Sequence, residues 1–139
     1  MNDLMNIYTN IENALENSAT FTFSTPDNDA KRSELFNALS AKSTNISEMI
    51  GKVINLTNVV FQGRNFTEEE TGEVRKAMRV IFIADDGEVY HSYSVGIFNS
   101  VKTFLSVYGT PDTWDKPIPV TVERVAPKSG GQTFTLRGV

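Results

Sequence analysis

Three features predict a mainly β protein, a five-stranded barrel with one helix between its third and fourth strands and an α-helical N-terminal extension. After Gly51 the chain falls into β-branched and aromatic runs bounded by turn residues. Neighbouring runs are joined by Asp85-Asp86-Gly87 and by Lys128-Ser129-Gly130-Gly131, both suited to tight hairpins. A single apolar stripe at helical spacing interrupts the runs after the third. At 139 residues the chain suits one compact core rather than two.

Residues 3 to 17 place Leu4, Ile7, Tyr8, Ile11, Ala14 and Leu15 at spacings of three and four, the stripe of an amphipathic helix. Ala19 to Thr25 alternates Phe21 and Phe23 with polar residues, a short strand ended by Pro26-Asp27. Asp29 to Ala41 reads as a second helix with Leu35, Phe36 and Leu39 on one side, and Ser43 to Ile50 as a loop with one helical turn. Lys52 to Gln62 is long for a strand, so a bulge near Asn58 is expected to let it serve both faces of a curved sheet. Gly63 to Glu73 reads as a polar loop, Val74 to Ala84 as the second strand and Glu88 to Tyr93 as the third. Ser94 is a suitable N-cap for a helix carrying Ile97, Phe98, Val101, Phe104, Leu105 and Tyr108, with Gly109 and Pro111 as its stop. Val120 to Ala126 and Thr133 to Arg137 supply the last two strands. Residues 1–50 are then a helical extension that packs on the barrel or on a second protomer, and residues 51–139 are the barrel.

Three strands, a helix and two strands is the order of the OB-type Greek-key barrel, whose helix plugs one end. An SH3-like barrel lacks so long a helix in that place. Another small α+β domain is the alternative compatible with the periodicity.

Composition excludes several kinds of chemistry. Without cysteine there is no disulfide framework, thiol catalysis or cysteine zinc site, and the single histidine, His91, excludes a two-histidine metal pair. No apolar run approaches the roughly 18 residues of a membrane span, and Met1-Asn2-Asp3-Leu4 lacks the start of a secretion signal. A soluble, intracellular protein without cofactor is expected. The formal charge of −4 argues against generic phosphate affinity. That charge is unevenly spread, however: residues 1–50 hold three basic residues (Lys31, Arg32, Lys42) against seven acidic ones, while residues 51–139 hold ten of each. The barrel is balanced, and its arginines fall on strands or their loops.

Residues 79–108, RVIFIADDGEVYHSYSVGIFNSVKTFLSVY, carry a strand into Ala84-Asp85-Asp86-Gly87, a tyrosine three residues later at Tyr90, then Ser94 and a helix. Followed by a proline-led strand and a glycine-turn hairpin, this segment resembles phage single-stranded DNA-binding proteins, nearest to those of small tailed phages with protein-primed replication. The likeness covers about the last 90 residues. It implies an OB-type fold, cooperative coating of displaced single strands in the cytoplasm of a host bacterium, and no catalysis.

The contact residues follow from physical requirements. Sequence-independent binding of a single strand needs basic residues along the phosphates and aromatic faces for the bases, which OB barrels present on strands two and three and the adjoining loops. The first loop offers Arg64 and Phe66, the latter amid polar residues that make burial hard to arrange. Alternation places Arg75, Ala77 and Arg79 on one face of the second strand. Only one of Tyr90 and Tyr93 can point inward from a regular third strand, so both are candidates. Lys128 and Arg137 at the last hairpin complete the groove, while Trp114 reads as a lid over the barrel mouth and His91 as a surface or groove residue.

The run Glu68-Glu69-Glu70 is awkward for a phosphate site; it shields the groove, pairs with a neighbouring protomer, or marks a groove elsewhere. Two other functions compete. One is a non-enzymatic protein-protein assembly module, with self-association through residues 1–50. The other is a hydrolase with Asp85, Asp86 and Glu88 on magnesium, disfavoured because Asp-Gly chemistry is what a tight hairpin turn requires.

Overall fold

The longest strand, β3 (Ile54–Thr67), organises a computed structural model that describes residues 2–23, 25–40, 43–126 and 133–139. It runs antiparallel to β4 (Val74–Ala84) along nearly its whole length and to β6 (Ile118–Val125) at its start. Two partners at divergent angles require a bend, and the register shifts between Leu56 and Asn58, where β3 carries one residue more than β4. The Thr57 hydroxyl donates to the Ile83 carbonyl at 3.1 Å and Asn58 Oδ1 accepts from the Val59 amide at 2.8 Å, which fastens the bulge expected there.

The main path is β5 (Val89–Ser92), β4, β3, β6 and β7 (Thr133–Gly138), a mainly β sheet curled into a half-barrel. The described residues form seven strands, two more than the five expected of the barrel, and one of those two falls within the short strand expected at Ala19 to Thr25. The additional two are dipeptides from the N-terminal segment, β1 (Thr20–Phe21) against β3 and β2 (Thr44–Asn45) parallel to β5. Among the described residues β5 and β7 share no ladder, so the half-barrel leaves edges whose amides and carbonyls need partners. The N-terminal segment supplies some of them.

Three α-helices complete the described residues: α1 (Asn2–Glu16), α2 (Asp29–Ser40) and α3 (Val95–Tyr108). Inside the curl, Leu56, Val59, Phe61, Val80, Phe82, Val120 and Val122 pack on Ile97, Val101 and Leu105 of α3. Ile11 of α1 and Ile46, from a 3-10 turn at Ile46–Met49, belong to this same cluster and are fully buried. Each contributes about 1.5–3 kcal/mol of burial free energy. On the outer surface, α2 covers Val60, Ile81 and Ile83 with Ala38, flanked by Leu35 and Leu39. That cover stops short of the far half of the β3–β4 ribbon.

Local signals set the boundaries of α3. Ser94 Oγ accepts from the Ile97 amide at 3.3 Å, and Gly109, at φ +82°, returns its amide to the Leu105 carbonyl. Trp114 closes the helix end, its Nε1 donating to the Gly109 carbonyl at 3.0 Å and its ring edge-on to Phe104.

Candidate nucleic-acid interface

The polar loop expected from Gly63 to Glu73 is shorter, because β3 continues to Thr67 and places Arg64 opposite Ala77 and Phe66 opposite Arg75. Continuing the ladder pairs backbone groups that a loop would leave to water. The turn shrinks to 68–73, closed by the Glu68 amide on the Glu73 carbonyl at 2.9 Å. Arg64 and Phe66 are therefore strand residues, with side chains fixed in direction by the pleat.

Residues opposite one another share a face, so Gln62, Arg64 and Phe66 stand with Arg75, Ala77 and Arg79 on the outer surface. On β5 the inward residues are Tyr90 and Ser92 and the outward ones are Val89 and His91, across from Ile83 and Ile81. Of the two tyrosines, Tyr90 is the one that points inward. Tyr90 is 7% exposed and lies in the core cluster, its phenol held less acidic by burial and then by Asp86 and Glu88, so it has no surface to offer a base.

Tyr93, just beyond β5, turns outward and meets Phe66 edge-on, with 5.5 Å between ring centroids. The two remain 39% and 43% exposed. His91 extends the row, its ring 6.1 Å from that of Tyr93. Edge-to-face contact occupies one face of one ring and leaves the pair's other faces open.

Arg79 does not stand in solvent as its alternation implied. It is 7% exposed, donating from Nη1 to Gln62 Oε1 at 3.1 Å and from Nη2 to Ser43 Oγ at 2.8 Å. Burial lowers its pKa, Tyr93 opposes that shift and Arg64 adds to it. The guanidinium stays charged and forms a positive floor beside the rings. The N-terminal segment covers it there through Ser43, which no local pattern could foretell.

Two cations lie nearer the surface. Arg75 pairs with Glu68 at 3.3 Å in an exposed ion pair, and Glu68 also accepts from the Thr71 hydroxyl. One carboxylate of the acidic run thus already faces a basic residue of this surface. Arg64 has no carboxylate within 4.0 Å among the described residues.

Arg137 is not brought to this cluster. It pairs with Glu123 at 3.3 Å and lines a groove with Val107 and Tyr108, at the end of α3. Tyr93 precedes the start of that helix, and 14 residues of helix span about 21 Å. The β6–β7 pairing carries the end of β7 away from the aromatic row. Lys128 lies outside the described residues.

Sequence reasoning gave His91 no partner, yet its Nδ1 is 2.6 Å from Ser43 Oγ. The available signal was its two-residue spacing from Tyr93, which puts both on one side of a strand. Burial lowers the imidazole pKa, Arg79 lowers it further, and Glu48 and the Ser43 backbone partly oppose this. Asp86 serves its turn, accepting from the Glu88 amide at 2.9 Å, and among the described residues no three acidic or histidine side chains gather closely enough to hold a metal. No helix among those residues is long and apolar enough to cross a membrane.

Residues 13–137 match the family described as phage single-stranded DNA-binding protein. No curated protein and no solved structure matches the chain. The family match begins well ahead of Gly51, so it takes in most of the segment that the resemblance in the last 90 residues had left aside, Ser43 included. Spanning the aromatic row, the arginines around it and nearly all the half-barrel, this match makes the chain a member of the phage single-stranded DNA-binding proteins of the phi29 type.

Proposed function

We propose that the outer face of β3, β4 and the end of β5 holds single-stranded DNA without regard to sequence, stacking bases on Phe66 and Tyr93 and taking phosphates on Arg64 and Arg75. The observation that carries this reading is the exposed Phe66–Tyr93 pair beside three arginines. Arg79 acts from beneath, as a fixed charge. The five longer strands form an OB-type Greek-key frame whose edges the N-terminal segment helps to cover, and residues 1–50 fold as part of it. Lys128 joins the phosphate path.

In phage replication such a face coats and protects displaced strands in the host cytoplasm, with no catalysis. Each stacked base is worth roughly 1–3 kcal/mol, and each phosphate contact steepens the salt dependence by about 0.7. Affinity per protomer is therefore moderate and falls with salt. Self-association through residues 1–50 would use the outward sides of α1 and α2, where Met5 and Phe36 are exposed; light scattering of the full chain reads it directly. Titrating intrinsic fluorescence with oligo-dT at two salt concentrations, beside a duplex control, tests the main reading. Salt-sensitive quenching by the single strand alone supports it, and equal or absent responses overturn it.

A further inference from the structure

Between the aromatic row and the buried arginine runs a chain of hydrogen bonds that the stacking reading leaves unused. Arg79 Nη2 lies 2.8 Å from Ser43 Oγ, and Ser43 Oγ lies 2.6 Å from His91 Nδ1. A guanidinium can only donate, so the Ser43 oxygen is the acceptor from Arg79. The hydroxyl proton of Ser43 is then available to His91 Nδ1, and the tautomer of the ring decides whether Nδ1 takes it. A neutral imidazole that accepts at Nδ1 carries its proton on Nε2. Among the described residues Nε2 has no hydrogen-bond partner, and the ring is partly exposed beside Tyr93.

We propose that His91 is a further DNA-contacting residue, donating from Nε2–H to an acceptor atom on the bound strand in a tautomer that Arg79 imposes through Ser43. This rests on the outer face being the DNA site. The donor is neutral and directional, unlike the arginines around it. Charged and titratable groups acting on the ring are Arg79 from β4, Glu48 from the 3-10 turn and Tyr93 from its own strand end. Burial first and Arg79 second hold the imidazole below its ordinary pKa, against Glu48. The acceptor is a phosphate oxygen or a base carbonyl, both equally suited to an N–H donor. The proposal also makes Ser43 a positioning residue, so the segment preceding the half-barrel completes the binding face.

Nitrogen-15 NMR of the imidazole in the full chain reads the tautomer: a protonated Nε2 and a bare Nδ1 are expected, with a mixture in Ser43→Ala. A protonated Nδ1 in the wild-type chain would overturn the proposal. In oligo-dT titrations His91→Ala is expected to lose about fivefold to tenfold in affinity with an unchanged salt slope, since no ion is released, and His91→Gln, which keeps a donor at similar reach, recovers most of it. Wild-type affinity in His91→Ala, or a flattened slope, would sink the idea. Repeating the comparison on an abasic oligomer separates the two acceptors, because a loss that persists belongs to the backbone. If Phe66→Ala also leaves binding untouched, the DNA face itself is misplaced; if only the His91 variants are silent, the fault lies with this inference alone.

Discussion

Phe66 on β3 and Tyr93 beyond β5 touch edge-on across the whole width of β4, with 5.5 Å between their ring centroids. On β4 the residue across from Phe66 is Arg75, and Ala77 follows on the same face, across from Arg64. Two rings from strands that are not neighbours thus become one platform.

Truncating either ring should weaken oligo-dT binding by about 1–3 kcal/mol while leaving the fold intact, because both are well exposed. Removing both should cost less than the sum, as expected of side chains in contact. Fluorescence titration and urea unfolding of Phe66→Ala, Tyr93→Ala and the double variant measure the two quantities separately.

The outer arginines should behave differently from each other. Arg64 lacks a carboxylate partner among the described residues, so Arg64→Ala should flatten the salt slope by about 0.7. Arg75 must first leave Glu68, and Glu68→Gln should therefore tighten binding and steepen the slope. Affinities at several salt concentrations give both slopes; a Glu68→Gln variant that binds more weakly would contradict the competition.

Gly63 is where α1 crosses β3. A Cβ there would overlap the Ala14 carbonyl oxygen and come within 2.9 Å of Leu15 Cα. Backbone cannot yield as a flexible side chain does, so Gly63→Ala should destabilise the chain by about 1–3 kcal/mol. Chemical denaturation monitored by circular dichroism reads the change, and Gly72→Ala makes a useful contrast, being strained only by its φ of +71° with open space around it.

Acid should weaken the fold through His91. Its folded pKa lies below the ordinary 6.5, so the unfolded chain binds this proton first as pH falls. The contribution is intact above about pH 6.5 and declines as pH drops through the folded value. Between about pH 7.5 and about pH 5.5 the thermal midpoint should fall more for the wild-type chain than for His91→Gln, the difference isolating this group from the carboxylates.

Whatever depends on a few neighbouring residues was legible in the sequence. Ser94 and Gly109 bound α3 because a cap and a stop act within one turn; Asp85-Asp86-Gly87 turns because Gly87 accepts φ +86°. Alternation alone placed Arg75, Ala77 and Arg79 on one side, and the length of β3 announced its bulge. The extent of β3 past Gly63 was not legible, since only the facing β4 ladder shows that Arg64 and Phe66 are strand residues rather than loop. Nor was the difference between Tyr90 and Tyr93, which depends on which side of β5 faces α3.

The sequence by itself determined the order of the five longer strands and α3, the caps, the bulge of the first long strand and the stock of rings and arginines on its segments. Tertiary structure alone decided that Arg79 is buried, that His91 is held at Nδ1 and that Arg137 lies at the other end of α3. The bonds behind the first two join Ser43 to residues 36 and 48 positions away. Contacts at that separation form only when the sheet curls and brings the N-terminal segment against β5, and no pattern within a single element encodes them.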